Sequence, residues 1–66
     1  MKNNLKELRQ KEGISQDDLA SILKVSRQTI NSIETGKFDP SLKLVMKMTM
    51  HFNAPLEKIF IYEEEK

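Results

Sequence analysis

The stretch ISQDDLASILKVSRQTINSIETGK, Ile14–Lys37, contains two short segments, 16–23 and 27–35, in which apolar residues recur at helical spacing. Only three residues, Lys24–Ser26, separate the two segments. Two short helices joined by so tight a turn must cross at a steep angle. The sequence therefore predicts a helix-turn-helix unit at about 16–35.

Caps and helix breakers place the helix ends along the chain. Ser15, followed three residues later by Asp18, is a close relative of the capping box, and Ser26 can cap the next helix. Glycine closes helix C-termini and proline is tolerated in a first turn. The glycines and prolines lie between the apolar segments, at Gly13, Gly36, Pro40 and Pro55. Five helices are predicted, at about 3–12, 16–23, 27–35, 41–52 and 56–60.

The predicted fourth helix carries one apolar stripe. Leu44, Met48 and Phe52 recur at i, i+4 and i+8, with Leu42 and Val45 alongside them. Such a stripe is typical of a helix face packed against a core. We therefore expect these side chains to be buried.

The two chain ends can form a short pair of strands. Ile59–Tyr62 is β-branched and aromatic, a composition that favours a strand. Its expected partner is the other terminus, Met1–Asn4, in a two-stranded antiparallel pairing. The fold class expected from the sequence is thus all-α with this possible addition.

Length and composition exclude several classes of protein. Sixty-six residues are expected to form one domain, 1–66, with one small core. The chain has no cysteine and a single histidine, His51, so disulfides, thiolate metal sites and a histidine metal site are not expected. No apolar run approaches the roughly 20 residues that span a bilayer. We expect a cytoplasmic protein without a membrane partner.

The net charge of +1 says little about partners, but its distribution says more. Residues 1–62 carry ten positive and seven negative side chains, and the three remaining acidic residues lie in the tail. Two interpretations stay open: a moderately basic body with a solvated acidic end, or a surface that faces phosphates.

The third helix presents a polar face. With Ile30 and Ile33 directed inward, about 100° per residue places Gln28 and Ser32 nearly opposite. The flanks of this face carry Asn31, Thr35 and Arg27. Amide, hydroxyl and guanidinium groups can read base edges in the major groove of DNA. The alternative is an inert solvated surface, although such a surface is more usually rich in Glu and Lys.

The segments SQxxLA and VSRQTI, together with DPSLKLVMKM at Asp39–Met48, resemble the phage-repressor and Cro type of helix-turn-helix transcription regulators, the XRE family. The resemblance extends from Leu5 to Phe60. It implies a five-helix, lambda-repressor-like DNA-binding domain, here a small member of the family. Its expected function is sequence-specific binding of double-stranded DNA, with the third helix in the major groove, as a transcriptional regulator and most often a repressor.

The resemblance also implies roles for individual residues. The positions that match base-reading residues are Arg27, Gln28, Asn31 and Ser32. Those that match contacts to the DNA backbone are Gln16, Thr35, Lys37 and Ser41, and Gln16 is also expected to brace the recognition helix. Arg9 and Glu34 match an ion pair that links the first and third helices; the alternative is two unrelated surface charges.

Family members usually bind palindromic half-sites as two-fold dimers, so a homodimer is expected. The expected interface is the corner between the fourth and fifth helices, with Pro40, Ala54, Pro55, Leu56 and Ile59.

Three positions depart from the family pattern. Lys24 stands at a turn position where many members have glycine, and it costs on the order of 1 kcal/mol if the left-handed conformation persists. Thr35 replaces a frequent asparagine, which puts one phosphate contact in doubt. Pro55 replaces a usual serine cap before the fifth helix.

Two other classes of function fit the sequence less well. An antitoxin subunit that also regulates its own operon needs a segment to wrap its toxin, and only IYEEEK is available. An enzyme is not expected, because the chain lacks a cysteine nucleophile, a glycine-rich phosphate loop and a carboxylate pair flanking a cleft. Neither a cofactor nor a small-molecule ligand is expected.

Overall fold

The computed structural model describes residues 1–64 and contains five helices and two short strands. In chain order they are β1 (Lys2–Asn3), α1 (Leu5–Lys11), α2 (Gln16–Leu23), α3 (Arg27–Glu34), α4 (Leu42–Phe52), α5 (Leu56–Ile59) and β2 (Phe60–Ile61). The predicted five-helix fold is confirmed, with helix ends within two residues of those expected. Within residues 1–64 the longest helix has 11 residues, and none is long and apolar enough to cross a bilayer.

Serine caps begin the three helices that form the centre of the molecule. The Ser15 hydroxyl accepts from the Asp18 N–H at 3.0 Å, and the Asp18 carboxylate accepts from the Ser15 N–H at 3.0 Å, which completes the capping box. The Ser15 N–H bond lowers the pKa of Asp18, because it stabilises the ionised carboxylate. Ser26 and Ser41 cap α3 and α4 in the same way. Pro55 stands at the N-cap of α5 and supplies no side-chain cap.

The turn between α2 and α3 keeps the left-handed residue that the family pattern implies, although that residue is a lysine. Lys24 has φ 61° and ψ 45°. Its N–H donates to the Ser21 carbonyl at 3.3 Å, and the Val25 N–H donates to the Ala20 carbonyl at 2.9 Å. These two bonds satisfy carbonyls at the end of α2 and turn the chain into α3.

We expect Lys24→Gly to raise the free energy of unfolding by about 1 kcal/mol, because glycine has no Cβ to clash in this conformation. Denaturant unfolding measures the change. Asn53, with φ 50° at the end of α4, is the matched control. Asparagine tolerates the left-handed region, so Asn53→Gly should gain less. An equal increase in the free energy of unfolding for both variants would contradict backbone strain that is specific to Lys24.

One core joins all five helices. Its buried apolar side chains are Leu5, Leu19, Ala20, Leu23, Ile30, Ile33, Leu44, Met48, Ile59 and Phe60. Leu44 and Met48 confirm the predicted stripe of α4, and Val45 and Phe52 pack partly buried against it. Leu42 was predicted to be buried with them, but it is 74% exposed. It is the first residue of α4 and lies where no neighbouring element covers that flank.

The predicted antiparallel pairing of the termini is confirmed over two residues in each strand. Lys2 lies opposite Ile61 and Asn3 lies opposite Phe60. The Asn4 N–H extends the pairing by donating to the Ile59 carbonyl at 2.7 Å. The pair is anchored in the core, because Phe60 is buried, and it therefore does not depend on its few backbone bonds alone.

Candidate nucleic-acid interface

The exposed face of α3 carries the polar side chains that the sequence placed there. Arg27, Gln28 and Asn31 are exposed, and Ser32 is half-buried. The opposite face buries Ile30 and Ile33 completely. The Arg27 guanidinium lies 4.0 Å from the Asp17 carboxylate, and both side chains are largely exposed, so this contact leaves Arg27 free to reach another anion.

Gln16 braces this face from the first turn of α2. Its side-chain N–H groups donate to the Asn31 carboxamide oxygen at 3.2 Å and to the Glu34 carboxylate at 3.0 Å. One amide thus fixes the start of α2 against two successive turns of α3. Gln16 is half-buried, which leaves part of its side chain at the surface beside Arg27.

A buried ion pair ties α1 to the end of α3. The Arg9 guanidinium donates to both carboxylate oxygens of Glu34, at 2.7 and 3.2 Å, and to the Ile14 carbonyl at 3.0 Å. The side chains are only 11% and 4% exposed. The hydrogen bonds from Arg9 to Glu34 raise the pKa of the guanidinium, although burial lowers it. The alternative of two unrelated surface charges is therefore wrong.

The residues expected at phosphates differ in how the structure places them. Lys37 is exposed directly after the left-handed Gly36. Ser41 caps α4, whose N-terminus carries the positive end of the helix dipole. Thr35 is different, since its hydroxyl lies 2.9 Å from the Asn31 carbonyl and 3.3 Å from the Ser32 carbonyl. Its only proton is donated within its own helix, so Thr35 is not poised to donate to a phosphate.

The corner between α4 and α5 differs from the expected interface at one residue. Pro55 and Leu56 are exposed, and Pro40 and Ala54 are half-buried. Ile59, which was predicted at this surface, is fully buried in the core. Ile59 is the last residue of α5, where its carbonyl accepts from the Asn4 N–H and its side chain packs with the core.

An apolar groove lies beside this corner. It has a volume of about 660 Å³ and is lined mainly by apolar side chains. Those from the helices and from the C-terminal strand and its end are Leu42, Val45, Leu56, Phe60, Ile61 and Tyr62. The sequence did not indicate that Leu42 or the C-terminal strand would line a groove. Apolar periodicity placed Leu42 in the core, and the composition of Ile59–Tyr62 indicated only a strand paired with the other terminus.

Two residues near the recognition helix were missed by sequence reasoning. The Asn3 side-chain amide donates to the Ile33 carbonyl at 2.8 Å and so caps the C-terminal end of α3. Nothing in the sequence signalled this bond, which joins residues 30 positions apart. Phe38 lies beside the polar face of α3 and is 50% exposed. The signal for Phe38 was an aromatic residue in an otherwise polar loop.

Comparison with known proteins agrees with this geometry. A family model described as helix-turn-helix matches residues 5–59. The chain belongs to the helix-turn-helix family. An uncharacterized HTH-type transcriptional regulator of Methanocaldococcus jannaschii is 53% identical to this helix-turn-helix chain, and the match covers all of both chains. The resemblance inferred from the sequence motifs is confirmed.

Relatives of this helix-turn-helix chain also occur in bacteria. An uncharacterized HTH-type transcriptional regulator of Bacillus subtilis is 45% identical over 98% of each chain. The crystal structure of a restriction-modification controller protein from Aeromonas hydrophila superimposes with a TM-score of 0.75 at 28% identity. That superposition covers 85% of each chain, so the same helical framework carries both sequences.

Proposed function

We propose that the protein is a transcriptional regulator, and specifically a repressor, that binds a palindromic operator as a homodimer with α3 in the major groove. The observation that carries the proposal is the polar face of α3, held rigid by Gln16. The names of the relatives, which are HTH-type transcriptional regulators, support the same function.

The proposed base-reading roles rest on the chemistry of the side chains on the polar face of α3. Gln28 and Asn31 can each pair bidentately with adenine, and Arg27 can do so with guanine. Ser32 can donate or accept at either base. These four groups are proposed to read the sequence, whereas Lys37 and the α4 N-terminus at Ser41 are proposed to fix the helix against phosphates. Gln16 is proposed to join them by moving one of the two N–H groups that it donates to Asn31 and Glu34.

The homodimer is proposed to form through the apolar groove between α4, α5 and β2. Leu42 and Tyr62 at its rim are among the most exposed large apolar side chains of residues 1–64. An exposed contiguous apolar surface commonly marks an interaction site. Pro40 and Leu56 line the groove, and Ala54 and Pro55 directly precede Leu56 in the chain. The proposed interface therefore keeps these four residues and gains Leu42 and Ile61 in place of Ile59.

A dimer is needed because one recognition helix contacts too few base pairs to select a single site. Two copies related by a two-fold axis present two helices to half-sites about 34–36 Å apart. The bound dimer is proposed to repress by occupying the promoter and excluding polymerase.

The assignment of roles predicts two different losses. Gln28→Ala should cost about 1–3 kcal/mol of binding free energy at the preferred site and relax selectivity. Lys37→Ala should weaken binding to all DNA alike. It should also reduce the slope of the logarithm of the binding constant against the logarithm of the salt concentration by about one, the value for one lost phosphate contact. Titrations of preferred and random duplexes at several salt concentrations measure both. Equal losses on both duplexes for both variants would contradict the roles, and the absence of any preferred duplex would contradict the function.

A further inference from the structure

Phe38 lies in the loop between α3 and α4 with half of its surface open to solvent. Its N–H donates to the Ser32 carbonyl at 3.2 Å, and the Lys37 N–H donates to the same carbonyl at 3.0 Å. These two bonds hold the loop against the last turn of α3. Phe38 therefore occupies a fixed place beside the polar face, although it is outside the helix.

A small cavity opens between Phe38 and that face. It has a volume of about 210 Å³ and is lined by Ser26, Gln28, Thr29, Ser32 and Phe38. Gln28 and Ser32 belong to the group proposed to read bases, and Phe38 is the one large apolar side chain of the five. The hydroxyls of Ser26 and Thr29 lie 2.8 Å apart and share one hydrogen bond, and the Ser26 hydroxyl also accepts from the Thr29 N–H at 3.1 Å.

We infer that this cavity holds the 5-methyl group of a thymine, so that Phe38 determines specificity at one base pair of each half-site. The inference rests on the proposed function, since it requires α3 to lie in the major groove. Thymine is the only base with a methyl group in that groove, and phenylalanine is among the side chains that contact it.

The lining of the cavity suits a methyl group together with the polar base edge that carries it. Serine at position 32 is small, so a base can approach the Phe38 ring without meeting a long side chain. The Phe38 ring supplies an apolar wall, and the amide of Gln28, which also lines the cavity, can donate to the adjacent O4 of the same thymine. Cytosine carries only hydrogen at C5 and leaves the ring in contact with water.

The test replaces thymine by deoxyuridine, which differs only in lacking the methyl group. The preferred operator is first selected from random DNA with the wild-type protein, and each thymine is then replaced in turn in both half-sites. At one position, deoxyuridine should weaken binding about fourfold for each half-site, or about 15-fold in all, because one methyl group loses its apolar contact.

Variants at position 38 connect this loss to the ring. Phe38→Ser should bind the thymine and deoxyuridine operators equally, whereas Phe38→Leu, which keeps an apolar wall, should retain the difference. Met50→Ser is the matched control, because Met50 is 81% exposed and lies outside the cavity. It should retain the full difference. Thermal unfolding of each variant establishes that it is folded at the temperature of the titration.

Three results would overturn the inference while the proposed function stands. One is a preferred operator with no thymine whose replacement weakens binding. The second is a Phe38→Ser variant that still distinguishes thymine from deoxyuridine. The third is a Phe38→Ser variant that loses affinity equally for every duplex, which would make the ring a contact to the sugar-phosphate backbone. A protein that prefers no duplex would overturn the inference and the proposed function together.

Discussion

Glu34→Gln is expected to lower the free energy of unfolding by about 3–5 kcal/mol, because it leaves the charged Arg9 guanidinium buried without its carboxylate. Domains are stabilised by roughly 0.05–0.15 kcal/mol per residue, or about 3–10 kcal/mol for a chain of this length. The substitution therefore removes a large fraction of the total. Denaturant unfolding at neutral pH measures it.

The size of this loss follows from the geometry around the pair. Glu34 accepts from Arg9 through both carboxylate oxygens and from Gln16 through one of them. Since Glu34 raises the pKa of Arg9, the guanidinium stays charged in the folded protein. A raised pKa means that the stability from this shift is present at neutral pH and is lost as the pH rises through that pKa in strongly alkaline solution.

A double substitution separates the cost of an unpaired charge from the value of the pair. Arg9→Met combined with Glu34→Leu replaces both charges by apolar groups and should be less destabilising than Glu34→Gln alone. Glu7→Gln on α1 is the control, because Glu7 is exposed and its loss should change stability by no more than about 0.5 kcal/mol. A Glu34→Gln variant as stable as the Glu7 control would show that the pair contributes nothing.

Leu56→Asp is expected to produce a monomer and to weaken binding to the full operator about 100- to 10,000-fold, because the two recognition helices are then no longer joined. Leu56 lines the apolar groove and is 45% exposed. An aspartate there places a charge in the proposed interface. Position 56 is in the first turn of α5, where a negative charge interacts favourably with the helix dipole, so the fold should tolerate the aspartate.

Met50→Asp is the matched control for this change. It adds the same charge to an apolar side chain that is exposed and outside the groove, so the protein should remain dimeric with wild-type affinity. Sedimentation gives the oligomeric state, and titration of a single half-site tests whether each variant still presents a working α3. A Leu56→Asp variant that stays dimeric and holds the full operator as tightly as the wild type would exclude this groove as the interface.

Much of the polar face of α3, and of the helices that position it, could be predicted from the sequence, because helix caps and helix periodicity depend on neighbouring residues. The serine caps and the polar face opposite Ile30 and Ile33 each follow from residues close together in the chain, whereas the left-handed conformation of Lys24 was implied only by the family pattern. The Arg9 and Glu34 pair is not local, and it was predicted only through the family resemblance. In each case the structure reproduces what spacing or motif indicated.

The sequence by itself determined the five helices, their caps and the side of α3 that is polar, since helix period and capping are properties of neighbouring residues. Only the tertiary structure decided that Leu42 is exposed while Ile59 is buried, that Asn3 holds the end of α3, and that Phe38 lies beside the polar face of α3. Periodicity shows which side of a helix is apolar. Which part of that side another element covers depends on contacts between residues far apart in the chain.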